Sequence, residues 1–218
     1  DNDVEFLING SDTEYLDLND TMLSLSVQVK DAKVDLADKV DVTPSNYFLY
    51  SLFQDVTLMF NNVRIEGGNN TYAHKAIIES IINYSSDTKK TSLTPIGYYD
   101  DDAKRKSSIE KSKTVHLCGS IQLDFMEQPK YLIPGVSVYI RMKRHDPKFY
   151  LEGTIDKKSG LNCKFLKAKL LVRRARVDSS VMIAHQILLA KKNALYPIRN
   201  KELIAYAIPS GSLKFYKE

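Results

Sequence analysis

Tryptophan is absent from the 218 residues, and only two cysteines and four histidines occur. Two cysteines, Cys118 and Cys163, cannot staple a disulfide framework, and no CxxC spacing joins them. That usage fits a reducing compartment best. The histidines are His74, His116, His145 and His185, and none has a Cys, His or carboxylate partner at zinc-ligand spacing. A cupin-like metal oxygenase needs a His-rich cluster on neighbouring strands, so this pattern argues against one. Glycine (9) and proline (7) are sparse, which argues against disorder by composition. No apolar run approaches the ~20 residues that a membrane helix requires. There is no GxSxG elbow, no GxxxxGK[ST] loop and no GxGxxG. The expectation is a protein without catalysis, metal or cofactor, and without a membrane partner.

The chain starts at Asp1 rather than Met and stops at Glu218 without an obvious cap. It reads as a piece cut from a longer protein, so the missing secretory signal is uninformative. Four triplets match the glycosylation pattern, starting at Asn9, Asn19, Asn69 and Asn83, but the pattern is short and common.

What is present is a core's worth of apolar material, 43% of the residues. At this length roughly 70% of the unfolded surface can be buried. The apolar residues alternate with polar ones at period 2, the mark of half-buried strands. Val115, Leu117, Gly119, Ile121, Leu123 and Phe125 share one face of Thr114–Phe125. Leu23, Leu25, Val27 and Val29 do so in Thr21–Lys30, as do Val136, Val138, Ile140 and Met142 in Val136–Lys143. Val56, Leu58 and Phe60 form another inward set. In Lys164–Arg173 the inward set is Leu166, Ala168, Leu170 and Val172. Lys201–Ile208 is apolar on both faces, which suits a doubly covered strand. Asn61-Asn62 marks a type I′ hairpin turn, and Pro134-Gly135 marks another turn.

Two segments carry helical spacing. Thr71–Tyr84 has Ala73, Ile77 and Ile81 in register, with Asn70 or Thr71 as cap. Ser179–Asn193 has Asp178 or Ser179 as cap and ends on lysines that suit the C-terminal dipole. Pro44–Phe53 holds a further short helical turn. Residues 85–112 are polar and include Asp100-Asp101-Asp102 followed by Lys104-Arg105-Lys106. They read as an exposed, mobile insertion, and the aspartates as a solvated loop ahead of a cation site. The pattern is mainly β: an antiparallel sandwich of about eight strands with two or three helices in the connections, forming one domain over residues 1–218.

Charge is segregated along the chain. Residues 1–100 carry 7 Lys/Arg and 16 Asp/Glu, net −9, and residues 101–218 carry 24 and 11, net +13. The split points to a nucleic-acid face, to self-complementary assembly contacts, or to strands of both halves interleaving so that the charges mix in space. The basic candidates for DNA or subunit contact are Arg141, Lys143 and Arg144, and Arg173, Arg174 and Arg176. Arginine suits phosphate, but no aromatics interleave with these charges as a stacking platform requires. A charged strand edge that discourages unwanted pairing is the plainer reading. Among the 13 tyrosines, Tyr98-Tyr99 and Tyr47-Phe48-Tyr50 are candidate interface anchors.

Several long runs occur in an order that resembles one family. They are VEFLINGSDTEYLDLNDTMLSLSVQV, NYFLYSLFQDVTLMFNNVRI, the helix NTYAHKAIIESIINY with the following KKTSLT, and KAKLLVRRARVDSSVMIAHQILLAKKNALYPI. The resemblance covers nearly all of Val4–Leu213. It is to the double jelly-roll major capsid (hexon-like) proteins of Maverick/Polinton elements and adintovirus-type viruses. It implies the first of two eight-stranded rolls, the second following beyond Pro209–Leu213. It also implies homotrimers forming pseudo-hexagonal capsomers of an icosahedral virion shell around double-stranded DNA, after synthesis in the host cytoplasm or nucleus. The family topology places strands near residues 4–8, 20–30, 54–65, 114–125, 136–143, 147–152, 163–176 and 200–208. A host-retained roll that binds protein or glycan is the alternative function.

Overall fold

The structure is a computed structural model, and it describes residues 3–31, 34–36, 41–153, 160–204 and 206. The first strand, β1 (Val4–Ile8), is followed by the long β2 (Glu14–Asp31), then β3 (Val34–Asp35) and β4 (Val42–Pro44). A short helix α1 (Phe48–Ser51) leads into the hairpin β5 (Phe53–Phe60) and β6 (Val63–Glu66). Helices α2 (Tyr72–Asn83), α3 (Ser86–Ser92) and α4 (Asp102–Ile109) precede β7 (Val115–Ser120) and β8 (Val138–Arg144). Helix α5 (Pro147–Tyr150), β9 (Leu151–Gly153), β10 (Leu161–Arg176) and α6 (Ser179–Leu189) complete the order.

Eight of the strands form two four-stranded antiparallel sheets. One has the order β1-β8-β5-β6. In the other, β10 lies along one edge of β2, while β7 and β3 share the opposite edge. The β4–β9 pair is a separate small ladder. Strands distant in sequence pair within each sheet: β1 with β8, and β2 with β10. This is the mainly-β antiparallel sandwich that the alternation predicts, with α1 to α5 between its strands and α6 after the last of them.

Most of the predicted inward residues outside Lys164–Arg173 form its core. Leu23, Leu25, Val27, Val29, Val56, Leu58, Leu117, Val138, Ile140 and Met142 are all buried. Phe53 of one sheet meets Phe165 of the other edge-to-face at 5.9 Å. Such burial contributes about 1.5–3 kcal/mol per large side chain. Turn chemistry holds the frame: Asn61 and Asn62 both have positive φ, 47° and 66°, as a type I′ turn requires. Gly67, at φ 93°, lies so close to β5 that a Cβ would stand 2.1 Å from the Val56 carbonyl oxygen. Only glycine fits there.

The structure departs from expectation in several places. β2 begins at Glu14, not near residue 20. Its first half has no clean alternation because Tyr15, Leu16, Asp17 and Leu18 are all buried; Leu132 pairs with Leu16 along the strand edge, and the Tyr15 hydroxyl bonds His185 of α6. The strand expected over 114–125 ends at Ser120, yet Ile121, Leu123 and Phe125 stay buried beyond its end. Residues 147–150 form α5 rather than strand, because Asp146 accepts the Lys148 N–H and Pro147 suits the first helical turn. Leu166 is not inward but 46% exposed. A bulge between Phe165 and Lys167 re-phases β10 and turns Phe165 inward instead. Residues 201–204 and 206 are not strand; the rest of the strand expected over 200–208 lies outside the described residues.

Residues 85–112 are folded. Asp101 caps α4, Ser85 caps α3, and Leu93, Ile96, Arg105, Ile109 and Ser112 are buried against the sandwich. The polar composition belongs to the outer faces of these helices.

Candidate interaction surfaces

The six basic candidates do not gather into one patch. On β8, Arg141 donates to Asp3 of the chain's start at 2.7 and 2.9 Å, with Glu5 at 3.8 Å. Lys143 reaches the Asn70 side-chain oxygen at 3.5 Å. Arg144 turns inward, donates to the Cys163 carbonyl and lies 4.3 Å from the centre of the Phe165 ring. On β10, Arg173 pairs with Asp20 and Asp17, while Arg174 and Arg176 both bond Glu14. Those two arginines hold the Glu14 carboxyl below the ordinary carboxylate range. Four of the six are thus paired with acids of the chain's first twenty residues, Asp3, Glu5, Glu14, Asp17 and Asp20. Interleaved strands bring the two oppositely charged halves together.

A denser charged cluster lies along α2. Asp124, 1% exposed at its side chain, lies 2.9 Å from Lys75 Nζ and 3.4 Å from Lys201 Nζ. Its other oxygen accepts the Lys201 backbone N–H at 2.7 Å. Lys201 Nζ also stands 2.9 Å from Glu79 and 2.7 Å from Glu127. Glu66 accepts the backbone N–H groups of Asp124 and Phe125. These carboxylates push the Lys201 ammonium above the ordinary lysine value against the opposing effect of burial. A cleft of about 410 Å³ opens beside the cluster, lined by Asp55, Arg64, Glu66, Lys75, Gln122 and Lys201 among others. The lysines fill the space between the carboxylates. Among the described residues no group of three His, Cys, Asp or Glu is placed to hold a metal.

The histidines have packing roles. His116 bonds Ser26 across the β2–β7 ladder at 3.0 Å, and His185 bonds Tyr15 at 2.6 Å. His145 stacks on Phe149 at 3.8 Å, and His74 meets the same ring edge-on at 5.0 Å. Asp100, Asp101 and Asp102 have separate tasks: Tyr98 and Lys90, the α4 cap, and Arg105. The tyrosine candidates are mostly interior. Tyr47 and Tyr50 are buried with Phe48, and Tyr98 packs on Tyr47.

The surface that sequence reading missed is apolar. Helix α6 buries none of its residues. Its exposed side chains include Ile183 at 57%, Ile187 at 56% and Leu188 at 56%, with Val181 and Leu189 alongside. Leu195, 76% exposed, extends the patch. Between this helix and the sandwich runs a groove of about 400 Å³ lined by Tyr15, Tyr131, Ile133, His185, Leu188 and Tyr196. The signal was present in the string VMIAHQILLA, which is apolar almost all round. Helices of that kind are normally covered.

The fold and these surfaces define a mainly-β antiparallel sandwich carrying an uncovered apolar helix. No family model matches the chain. It is similar to an uncharacterized protein of Caenorhabditis elegans, F54H12.2, at 25% identity over 162 residues. That match covers 68% of this chain and 39% of the relative, so the chain spans well under half of the relative's length. Among solved structures it is similar to the mavirus major capsid protein, with TM-score 0.41 and 10% identity, over 83% of this chain and 44% of that one. No helix among the described residues is long and apolar enough to cross a membrane.

Proposed function

We propose that this chain is a structural, non-catalytic assembly domain: the N-terminal roll of a double jelly-roll major capsid protein of the Maverick/Polinton and adintovirus kind. In this reading the full-length protein trimerises into capsomers of a virion shell. The observation that carries it is helix α6. Six large apolar side chains lie exposed on and beside one helix, Val181, Ile183, Ile187, Leu188, Leu189 and Leu195, and a contiguous exposed apolar patch marks a protein–protein contact. The ordered sequence resemblance supplies the identity of the assembly. The exposed face is the one that would meet the second roll or a neighbouring subunit.

The test is light scattering and electron microscopy of the full-length product. Trimers and shells are expected, with Ile183→Asp/Ile187→Asp abolishing them while each isolated chain stays folded by circular dichroism. A full-length product that stays monomeric at high concentration overturns the reading. A monomer that instead captures a defined protein or glycan would favour the host-retained binding module.

A further inference from the structure

The solvent face of the β10–β2–β7 sheet has a charge pattern unlike that of the arginine stretches. Along β10, Lys164, Lys167 and Lys169 are exposed. Their cross-strand neighbours on β2 are Gln28, Ser26 and Ser24. One strand further, His116 and Cys118 of β7 stand opposite Ser26 and Ser24, and Thr114 accepts a bond from Gln28 at 3.1 Å. The outward positions run from the Asn162–Lys30 row to the Leu171–Met22 row, and none of them is Asp or Glu. Among the described residues, Lys164, Lys167 and Lys169 have no carboxylate partner, whereas Arg141, Arg173, Arg174 and Arg176 all do.

Paired charges cancel beyond the length of the pair, so the arginine stretches project little field into solvent. The lysine row does project one. It spans roughly 13–16 Å at the rise of a strand. Around it lie hydroxyl and amide groups on Ser24, Ser26, Thr114 and Gln28, the neutral side chains that commonly bond phosphate oxygens. No tryptophan, tyrosine or phenylalanine occupies an outward position of these strands within the row, so the face lacks the stacking platform that single strands need. A flat sheet face with no projecting element also lacks the means to read base edges.

We infer that this face binds the phosphate backbone of double-stranded nucleic acid without reading its sequence, through Lys164, Lys167 and Lys169. The inference stands on the charge pattern alone and does not require the assembly reading.

Fluorescence anisotropy of the chain on a short mixed-sequence DNA duplex tests it. Three phosphate contacts give a salt slope of about −2.7, so affinity falls roughly 40-fold between 50 and 200 mM salt. The variant Lys164→Gln/Lys167→Gln/Lys169→Gln is expected to lose at least about tenfold in affinity at the lower salt and most of that slope. Lys167→Gln alone removes about 0.9 of the slope and keeps the test open if the triple variant misfolds. Arg173→Gln/Arg174→Gln serves as the control and is expected to bind like the parent. No duplex binding by the parent, or an unchanged triple variant, overturns the inference. So does equal capture of poly-glutamate or of phosphatidylserine vesicles, which would make the face a general polyanion or lipid surface. None of these outcomes depends on whether the full-length protein assembles.

Discussion

His145 shows how a packing histidine acquires a pH dependence. Its Nδ1 accepts the Asp146 N–H at 2.9 Å, so the neutral ring carries its proton on Nε2. Burial between Phe149 and the strand end, then the neighbouring His74, hold its pKa below the ordinary imidazole value; Lys143 acts in the same direction and Asp146 opposes. Protonation at Nδ1 would remove the Asp146 bond and place charge in a half-buried stack. The unfolded chain therefore takes up this proton first. The stability contributed by the neutral ring is complete above about pH 6.5 and is lost as pH falls through the lower folded value. Urea midpoints measured on either side of that window should fall toward acid pH. His145→Asn, whose amide oxygen can accept the same N–H, should flatten the fall. An identical acid dependence in the variant would assign it to other groups. At the same scale, burial pushes the Cys163 thiol up to about 12, so this cysteine is a small apolar core residue.

At the scale of elements, period-2 alternation found the strands that have one wet face and missed the parts that do not. Leu23–Val29 and Val138–Met142 were legible because every second residue meets water. Tyr15–Leu18 was not, because its four consecutive residues are all buried, Asp17 among them. Leu166 was misplaced because a bulge leaves no trace in hydrophobicity. The helices within residues 85–112 were not legible because polar composition describes the outer face of α3 and α4, whereas a few buried residues anchor them. Arg105 is the main anchor: its guanidinium donates to the Pro44 carbonyl and to Glu152, both at 3.1 Å, and to Asp102 at 2.5 Å. Arg105→Met keeps the stem but leaves the Pro44 carbonyl without that donor. It should lower stability by about 1–3 kcal/mol and speed tryptic cleavage at Lys104 and Lys106. Unchanged cleavage would mean that Ile109 and Leu93 hold the segment without it.

At the scale of the molecule, the candidate arginines were legible as charge but not as pairs. Which acid meets which base is decided by strand order, and sequence does not state strand order. The same holds for Lys201, an unremarkable residue in a run first read as strand. It ties the segment after α6 to helix α2 and to the turns at Asp124 and Glu127. Neither Glu79 side-chain oxygen has an aligned hydrogen-bond donor, although the Lys201 ammonium lies 2.9 Å from one of them. The lysine is therefore the main compensation for that carboxylate. Removing one partner of a buried pair costs about 3–5 kcal/mol, and exposed pairs contribute about 0–1. Lys201 is about one-third exposed at its side chain, so Lys201→Met should destabilise the chain by about 2 kcal/mol. Adding Glu79→Gln should return part of that loss, because the uncompensated charge disappears with its partner. Hydrogen exchange should show α2 and residues 121–128 loosening together in the single variant. Additive losses in the double variant would mean that Lys201 acts through Asp124 and Glu127 instead, with Glu79 compensated by solvent.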